Sequence, residues 1–224
     1  MSNARVPRVG QRMFDNIFGY TYTGLAVNIC LIASNVPCAF LLMFARFSSA
    51  SWPALVAASI TVAPSLGGAF VAFHHYGQGN VDPFSSFWRG WVRILTATAP
   101  MSVAMVVLTL IVGIDLTGLA HVLIGPLLMP VLLMVLALAT ITTLVAIALL
   151  TVNTDMGTLQ ALRASLALSV RHPLPGLMSL VAVVGLIAIV LAQPVLGLLL
   201  STSPLIYLVY GNSTYIARQI SSEV

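Results

Sequence analysis

Lysine is absent from the 224 residues, and charge of either sign is scarce. Nine arginines stand against five acids, so that 6% of the chain is charged, where an ordinary soluble domain carries roughly 25%. So few charges cannot cover a water-soluble globule, and 59% of the residues are hydrophobic. Without lysine there is no P-loop lysine for nucleotide phosphates and no amine for a Schiff base, which excludes an ATPase of that kind. The formal charge of +4 does not point to nucleic acid, because the arginines punctuate apolar runs instead of clustering on a polar module. The two cysteines, Cys30 and Cys38, share one expected helix with about 12 Å of rise between them. That is too far for a mutual disulfide, and both read as apolar filler.

Chemistry-bearing patterns are missing too. There is no GxSxG elbow, no HExxH pair and no pair of carboxylates. His74 and His75 are neighbours whose side chains point about 100° apart on a helix. No other ligand type stands at metal spacing, so they read as residues at a helix end near headgroups. His121 and His172 are isolated. The chain therefore reads as non-enzymatic, with no cofactor and no metal. Residues 1–22 carry Arg5, Arg8, Arg12 and Asp15 with no small-residue cleavage site after them, so the first apolar run is expected to be retained and not removed as a signal peptide.

What is present is a series of long apolar runs. A lipid-facing backbone must satisfy its own hydrogen bonds, so such runs read as helices of about 20 residues. The expected fold class is all-α: one integral membrane domain, a polytopic helical bundle of six spans at about 23–45, 52–74, 94–114, 121–150, 174–193 and 196–216. Five spans remain the alternative, because Asn212 and Ser213 weaken the last. The fourth run is longer than a bilayer needs, and tilt or a kink at Pro126 and Pro130 would absorb the excess. With both termini inside, Arg5, Arg8, Arg12, Arg89, Arg93, Arg163, Arg171 and Arg218 face the cytoplasm and only Arg46 faces out. Every Asp, Glu and Arg falls at a span end or in a loop. That argues against an ion-coupled transporter, which needs an ionisable group at mid-membrane, and leaves open a passive path lined by hydroxyls and amides. Within the spans, Asn28, Ser34, Asn35, Thr140, Thr142, Thr143, Asn212 and Thr214 are expected to find partners on neighbouring helices.

Two amphipathic segments stand apart. In the first, about 83–93, Asp82 is a helix N-cap with Pro83 at the first helical position. Phe84, Phe87, Trp88 and Trp91 recur there at helical spacing, with Arg89 and Arg93 off that stripe. In the second, about 158–171, Leu159, Leu162, Leu166 and Val170 share one face with Arg163 and Arg171 nearby. Both are expected to be short interfacial helices, rings or leucines in the lipid boundary and guanidiniums near anionic headgroups, or docking surfaces for a partner. Pro37 and Pro64 sit within spans, where each frees a carbonyl and can kink its helix. Gly67 and Gly68 allow close helix approach.

These motifs resemble the YesL family of small bacterial membrane proteins, named as a domain of unknown function. Asn28 and Pro37 in NICLIASNVP match its first span, and Thr61-Val62-Ala63-Pro64 followed by Gly68 and Ala69 matches its T-x-G-P-x-x-x-A turn. Phe84, Phe87, Arg89 and Trp91 match its F-x-x-F-x-R-x-W segment. Ala63 replaces a usual glycine and Gly90 a common Asn. The likeness covers the whole chain in layout and residues 9–95 in motif. It implies a bacterial cytoplasmic membrane and a neighbourhood, since members are often encoded beside carbohydrate ABC-transporter and glycoside-degradation genes. From it follows the expectation of an accessory or assembly subunit of a sugar importer, docked through Asp82–Arg93 and Thr158–Arg171. The alternative is a stand-alone facilitator for a small neutral solute passing near Asn28, Asn35 and Thr61. The expected partners are the lipid bilayer and sugar-importer subunits, with no nucleic acid; self-association into a homo-oligomer is left open.

Six crossings with cytoplasmic termini have a direct readout. A fluorescent protein fused after Val224 should light up and a periplasm-active phosphatase fused there should stay silent, with the reverse for fusions at Ser48. Five crossings would invert the C-terminal pair.

Overall fold

In the computed structural model the described residues are 9–36, 38, 40, 41, 52–79, 82–119, 125–153, 156–171, 173–193, 197 and 202–218. Their regular structure is helical throughout: α1 (Val9–Ser34), α2 (Trp52–Ala58), a 3-10 turn (Ser59–Thr61), α3 (Val62–Gly77), α4 (Pro83–Leu119), α5 (Gly125–Val152), α6 (Thr158–Arg171), α7 (Pro173–Ala192) and α8 (Thr202–Arg218). By length and composition, Val56–Gly77, Pro83–Leu119, Gly125–Val152 and Pro173–Ala192 are able to cross a bilayer.

The first and last expected spans are not among those four. α1 contributes the shorter apolar stretch Phe18–Ser34, and residues 42–51 lie outside the described ones. α8 holds 17 residues, Thr202–Arg218, or about 26 Å of helix against a hydrocarbon core of about 30 Å. Asn212, Ser213 and Thr214 interrupt its apolar character. The expected kink at Pro126 is also corrected. Pro126 is the second residue of α5, where an N–H would have no helical acceptor anyway, so it starts the helix and Pro130 is the proline inside it.

The segment 83–93 is not a separate short helix. It forms the first turns of α4, which runs unbroken for 37 residues. Its start follows the sequence closely: the Ser85 N–H donates to Asp82 Oδ1 at 3.3 Å, as an N-cap should. Nothing then stops the helix, because α4 lies along α3 and the two are held together by small residues. A Cβ on Gly90 would sit 2.6 Å from Val71 Cβ, and one on Gly68 would sit 3.0 Å from the Phe87 carbonyl oxygen. Phe87 is accordingly fully enclosed, not in the lipid boundary. The second amphipathic segment does form its own helix, α6, with the boundaries its pattern suggests.

Two runs make the core. In α3 nearly every residue from Pro64 to Phe73 is buried, since α1, α4, α5 and α8 all pack on that helix. In α5 the C-terminal half is enclosed, with Ala146, Ile147, Ala148 and Leu149 at 0% exposure, while the N-terminal half leaves Leu127 and Met134 outward. Val27, Phe70, Phe87, Leu144, Ile147, Ala182 and Val209 belong to one continuous cluster that joins α1, α3, α4, α5, α7 and α8.

The helix at Pro64 shows what a proline costs and how it is absorbed. Its missing N–H leaves the Ile60 carbonyl without its helical donor, and the chain passes that point as the 3-10 turn Ser59–Thr61 between α2 and α3. Ser65 Oγ donates to the Thr61 carbonyl at 2.6 Å. Pro37 lies outside the described residues.

The glycine contact sets a clean comparison. Gly90→Ala should cost about 1–3 kcal/mol through overpacking against Val71, read as a lower Tm in detergent. Gly118→Ala, in the same helix with nothing within 4 Å of the added Cβ, should leave Tm unchanged or raise it, by up to about 1 kcal/mol of helix propensity.

Candidate functional site

Two places gather the polar and aromatic side chains that a function would use: a cavity between α1, α3 and α8, and the arginine-bearing segments of α4 and α6.

The cavity has a volume of about 510 Å³. α1 supplies Tyr20, Thr21, Thr23, Gly24, Leu25 and Asn28, α3 supplies Phe73, and α8 supplies Ser203, Pro204 and Tyr207. α1 can present all six because residues at i, i+1, i+3, i+4, i+5 and i+8 straddle one broad helix face. Gly24 lets α8 approach, since a Cβ there would come within 2.9 Å of Ser203 Oγ. Asn28 and Ser203 are 3% and 4% exposed, whereas the Tyr20 and Tyr207 rings stand half out of the protein.

Those rings belong to a wider aromatic group at one end of α3. Tyr20 meets Tyr76 edge-on at 4.8 Å and Tyr207 at 5.9 Å. Phe73 meets Tyr207 at 5.2 Å, and Phe70 meets Tyr210 at 5.4 Å. The histidine pair sits in the same layer. Gln78 Nε2 lies 3.0 Å from His74 Nε2, so with the amide in that orientation the ring proton is on Nδ1, which donates to the Tyr210 hydroxyl at 3.1 Å. His75 Nδ1 lies 3.3 Å from Ser86 Oγ. The two histidines therefore face a phenol, an amide and a hydroxyl, and they tie α3 to α8 and to α4. Tyrosine rings gathered at a helix end are of the kind enriched at membrane–water interfaces.

Of the residues singled out in the sequence, Asn28 and Thr61 do not come together. Thr61 Oγ1 donates to Asn35 Oδ1 at 2.7 Å, and Asn35 Nδ2 donates to the Leu31 carbonyl at 2.9 Å. The amide is thus used on both sides to join the end of α1 to the 3-10 turn, and Asn28 lies in the cavity instead. Of the three residues expected along a solute path, Asn28 lines the cavity and Asn35 and Thr61 bond each other. The expected interhelical partners of the threonines are likewise replaced by their own helices. Thr140 donates to the Leu136 carbonyl, Thr143 to Ala139 and Thr214 to Tyr210, each at 2.8 Å. Thr142 Oγ1 and Asn212 Nδ2 are buried with no hydrogen-bond partner among the described residues. Both cysteines are free thiols.

On α4 the aromatic stripe divides. Phe84 and Trp88 face outward, Phe87 is in the core, and Trp91 packs against that core with its indole N–H buried and unpartnered. Arg89 and Arg93 are exposed on the outer side, as are Arg163 and Arg171 of α6. α6 turns a face of small residues inward, Ala161 and Ser165 with Leu168. The stripe Leu159, Leu166 and Val170 points outward at 60%, 47% and 64% exposure. Ala161 packs in one cluster with Met101, Ala146 and Leu150, flanked by Ala97 and Leu162. α6 packs on α5, whose Ala146 and Leu150 join it to α4 in this cluster. Gly68 closes the α3–α4 contact, so this motif position is a packing site.

Of the cavity's lining, sequence reasoning singled out Asn28 alone. The recurrence of tyrosines at Tyr20 and Tyr22 and again at Tyr207 and Tyr210, in runs otherwise apolar, was a further legible signal; that the two groups meet was not encoded locally.

The architecture is that of a polytopic helical membrane protein. Compared with protein families, curated proteins and solved structures, the chain matches none.

The Asn35–Thr61 bond can be weighed by a double-mutant cycle. Thr61→Val and Asn35→Leu, alone and together, should show a coupling of about 0.6 kcal/mol and not above about 2 kcal/mol, measured by unfolding in a fixed detergent.

Proposed function

We propose that this chain is a non-enzymatic membrane protein that acts as an accessory or assembly subunit of a bacterial carbohydrate ABC importer, seated in the cytoplasmic membrane through six crossings with its N-terminus inside. The observation that carries the reading is the outer faces of α4 and α6. Four guanidiniums are exposed, Arg89 and Arg93 on α4 and Arg163 and Arg171 on α6, and α6 also carries the outward stripe Leu159, Leu166 and Val170. The protein has no use of its own for that stripe, because α6 already packs through its small-residue face.

A helix with apolar, basic and protein-facing sides suits a place where lipid, headgroup and a partner meet. Arginine forks favour carboxylate and phosphate partners. The lack of any lysine means the chain has no P-loop to power transport, which suits a subunit whose partner supplies the ATPase. The resemblance of residues 9–95 to the YesL family gives the partner its chemistry.

Extraction in mild detergent followed by mass spectrometry of everything that co-purifies tests this. Sugar-importer subunits should appear in stoichiometric amount and be lost when Arg89, Arg93, Arg163 and Arg171 are all changed to Ser. Recovery of the chain alone, or only as a homo-oligomer, would overturn the reading.

A further inference from the structure

We propose that the cavity between α1, α3 and α8 is a binding site for a neutral, hydroxylated ring of the glycosyl type, presented either by a glycolipid headgroup or by a free saccharide. The inference rests on the cavity alone, and neither needs nor tests the accessory-subunit reading.

Size comes first. A volume of about 510 Å³ falls within the roughly 300–1,000 Å³ of sites that hold small molecules, and it fits one or two sugar rings. Charge comes second. Among the described lining residues there is no Arg, His, Asp or Glu, so they offer an ionic ligand no counter-charge to offset its desolvation cost.

The walls are mostly apolar but carry the Asn28 amide and the hydroxyls of Thr23, Ser203 and Tyr207. A plain acyl chain would match the apolar part alone, whereas a ligand with an apolar face and a polar edge matches both. The rings of Phe73 and Tyr207 meet edge-on at 5.2 Å, and Tyr20 stands 5.9 Å from Tyr207. They offer aromatic faces to the C–H side of a pyranose, whose hydroxyls can both donate to and accept from the amide and the hydroxyls.

Position supplies the third argument. The half-exposed rings of Tyr20 and Tyr207 form the mouth, and they belong to the tyrosine cluster at the end of α3, the residue type that gathers at headgroup depth. A glycosyl group on a lipid resides at that depth, and a dissolved saccharide can reach it.

The test uses the full chain in phosphatidylcholine nanodiscs. One arm adds maltose to the solvent. The second mixes monoglucosyldiacylglycerol into the bilayer, with diacylglycerol lacking the sugar as the reference. A saturable rise in Tm with either glycosyl probe, absent with the reference lipid, is the expected result. Maltose alone would assign a free saccharide, and the glucolipid alone a headgroup.

Asn28→Leu and Tyr20→Leu should each weaken the apparent Kd at least tenfold. Tyr20 is at the half-exposed mouth, so its variant keeps the test valid if Asn28→Leu fails to fold. The proposal is overturned if neither probe shifts Tm, if plain diacylglycerol shifts it equally, or if Tyr20→Leu leaves the apparent Kd unchanged.

Discussion

Lipid gives two apolar helices no hydrophobic reason to touch, so contact between them must come from shape. In this bundle that contact is the line along which α3 and α4 meet, where Gly67, Gly68 and Gly90 remove the side chains that would hold the backbones apart. Its consequences spread outward. Phe87 is drawn into the core and Trp91 turns onto it. Arg89 and Arg93 are left on the outer side. The opposite flank of α3 is then free to receive α1, α5 and α8. The cavity lies where α1 and α8 meet Phe73 on that flank.

A second constraint decides where polar side chains go. Within apolar helices the nearest acceptor for a hydroxyl is the carbonyl one turn back, and Ser65, Thr98, Ser102, Thr109, Thr140 and Thr151 all take it. Amides have more hydrogen-bonding capacity than their own turn can satisfy. Asn35 therefore reaches Thr61 across to the next helix, while Asn28 lines the cavity. The seam between α1 and the 3-10 turn is closed by the first of these, and the open space is displaced toward α8.

The outer surfaces divide by the same logic. α6 has three sides: small residues toward the bundle, leucine and valine outward, and arginines beside them. The cluster of Met101, Ala146, Leu150 and Ala161 ties α4, α5 and α6 together on its inner side.

Features that depend on a few neighbouring residues were determined by the sequence alone. Apolar run length gave the all-helical class, and four of the six spans it suggested are helices of membrane length; Asp82-Pro83 gave the start of α4, and the leucine pattern with Pro173 beyond it gave the limits of α6. Each follows from chain-local hydrogen bonding and helical periodicity. Tertiary structure alone decided that 83–93 continues into α4, that Phe87 faces inward while Phe84 and Trp88 face out, and that Asn35 and not Asn28 meets Thr61. It also decided that Tyr20 and Tyr207 share a cavity. These outcomes turn on which helix lies opposite, and a side chain's own spacing carries no information about the surface that will pack against it.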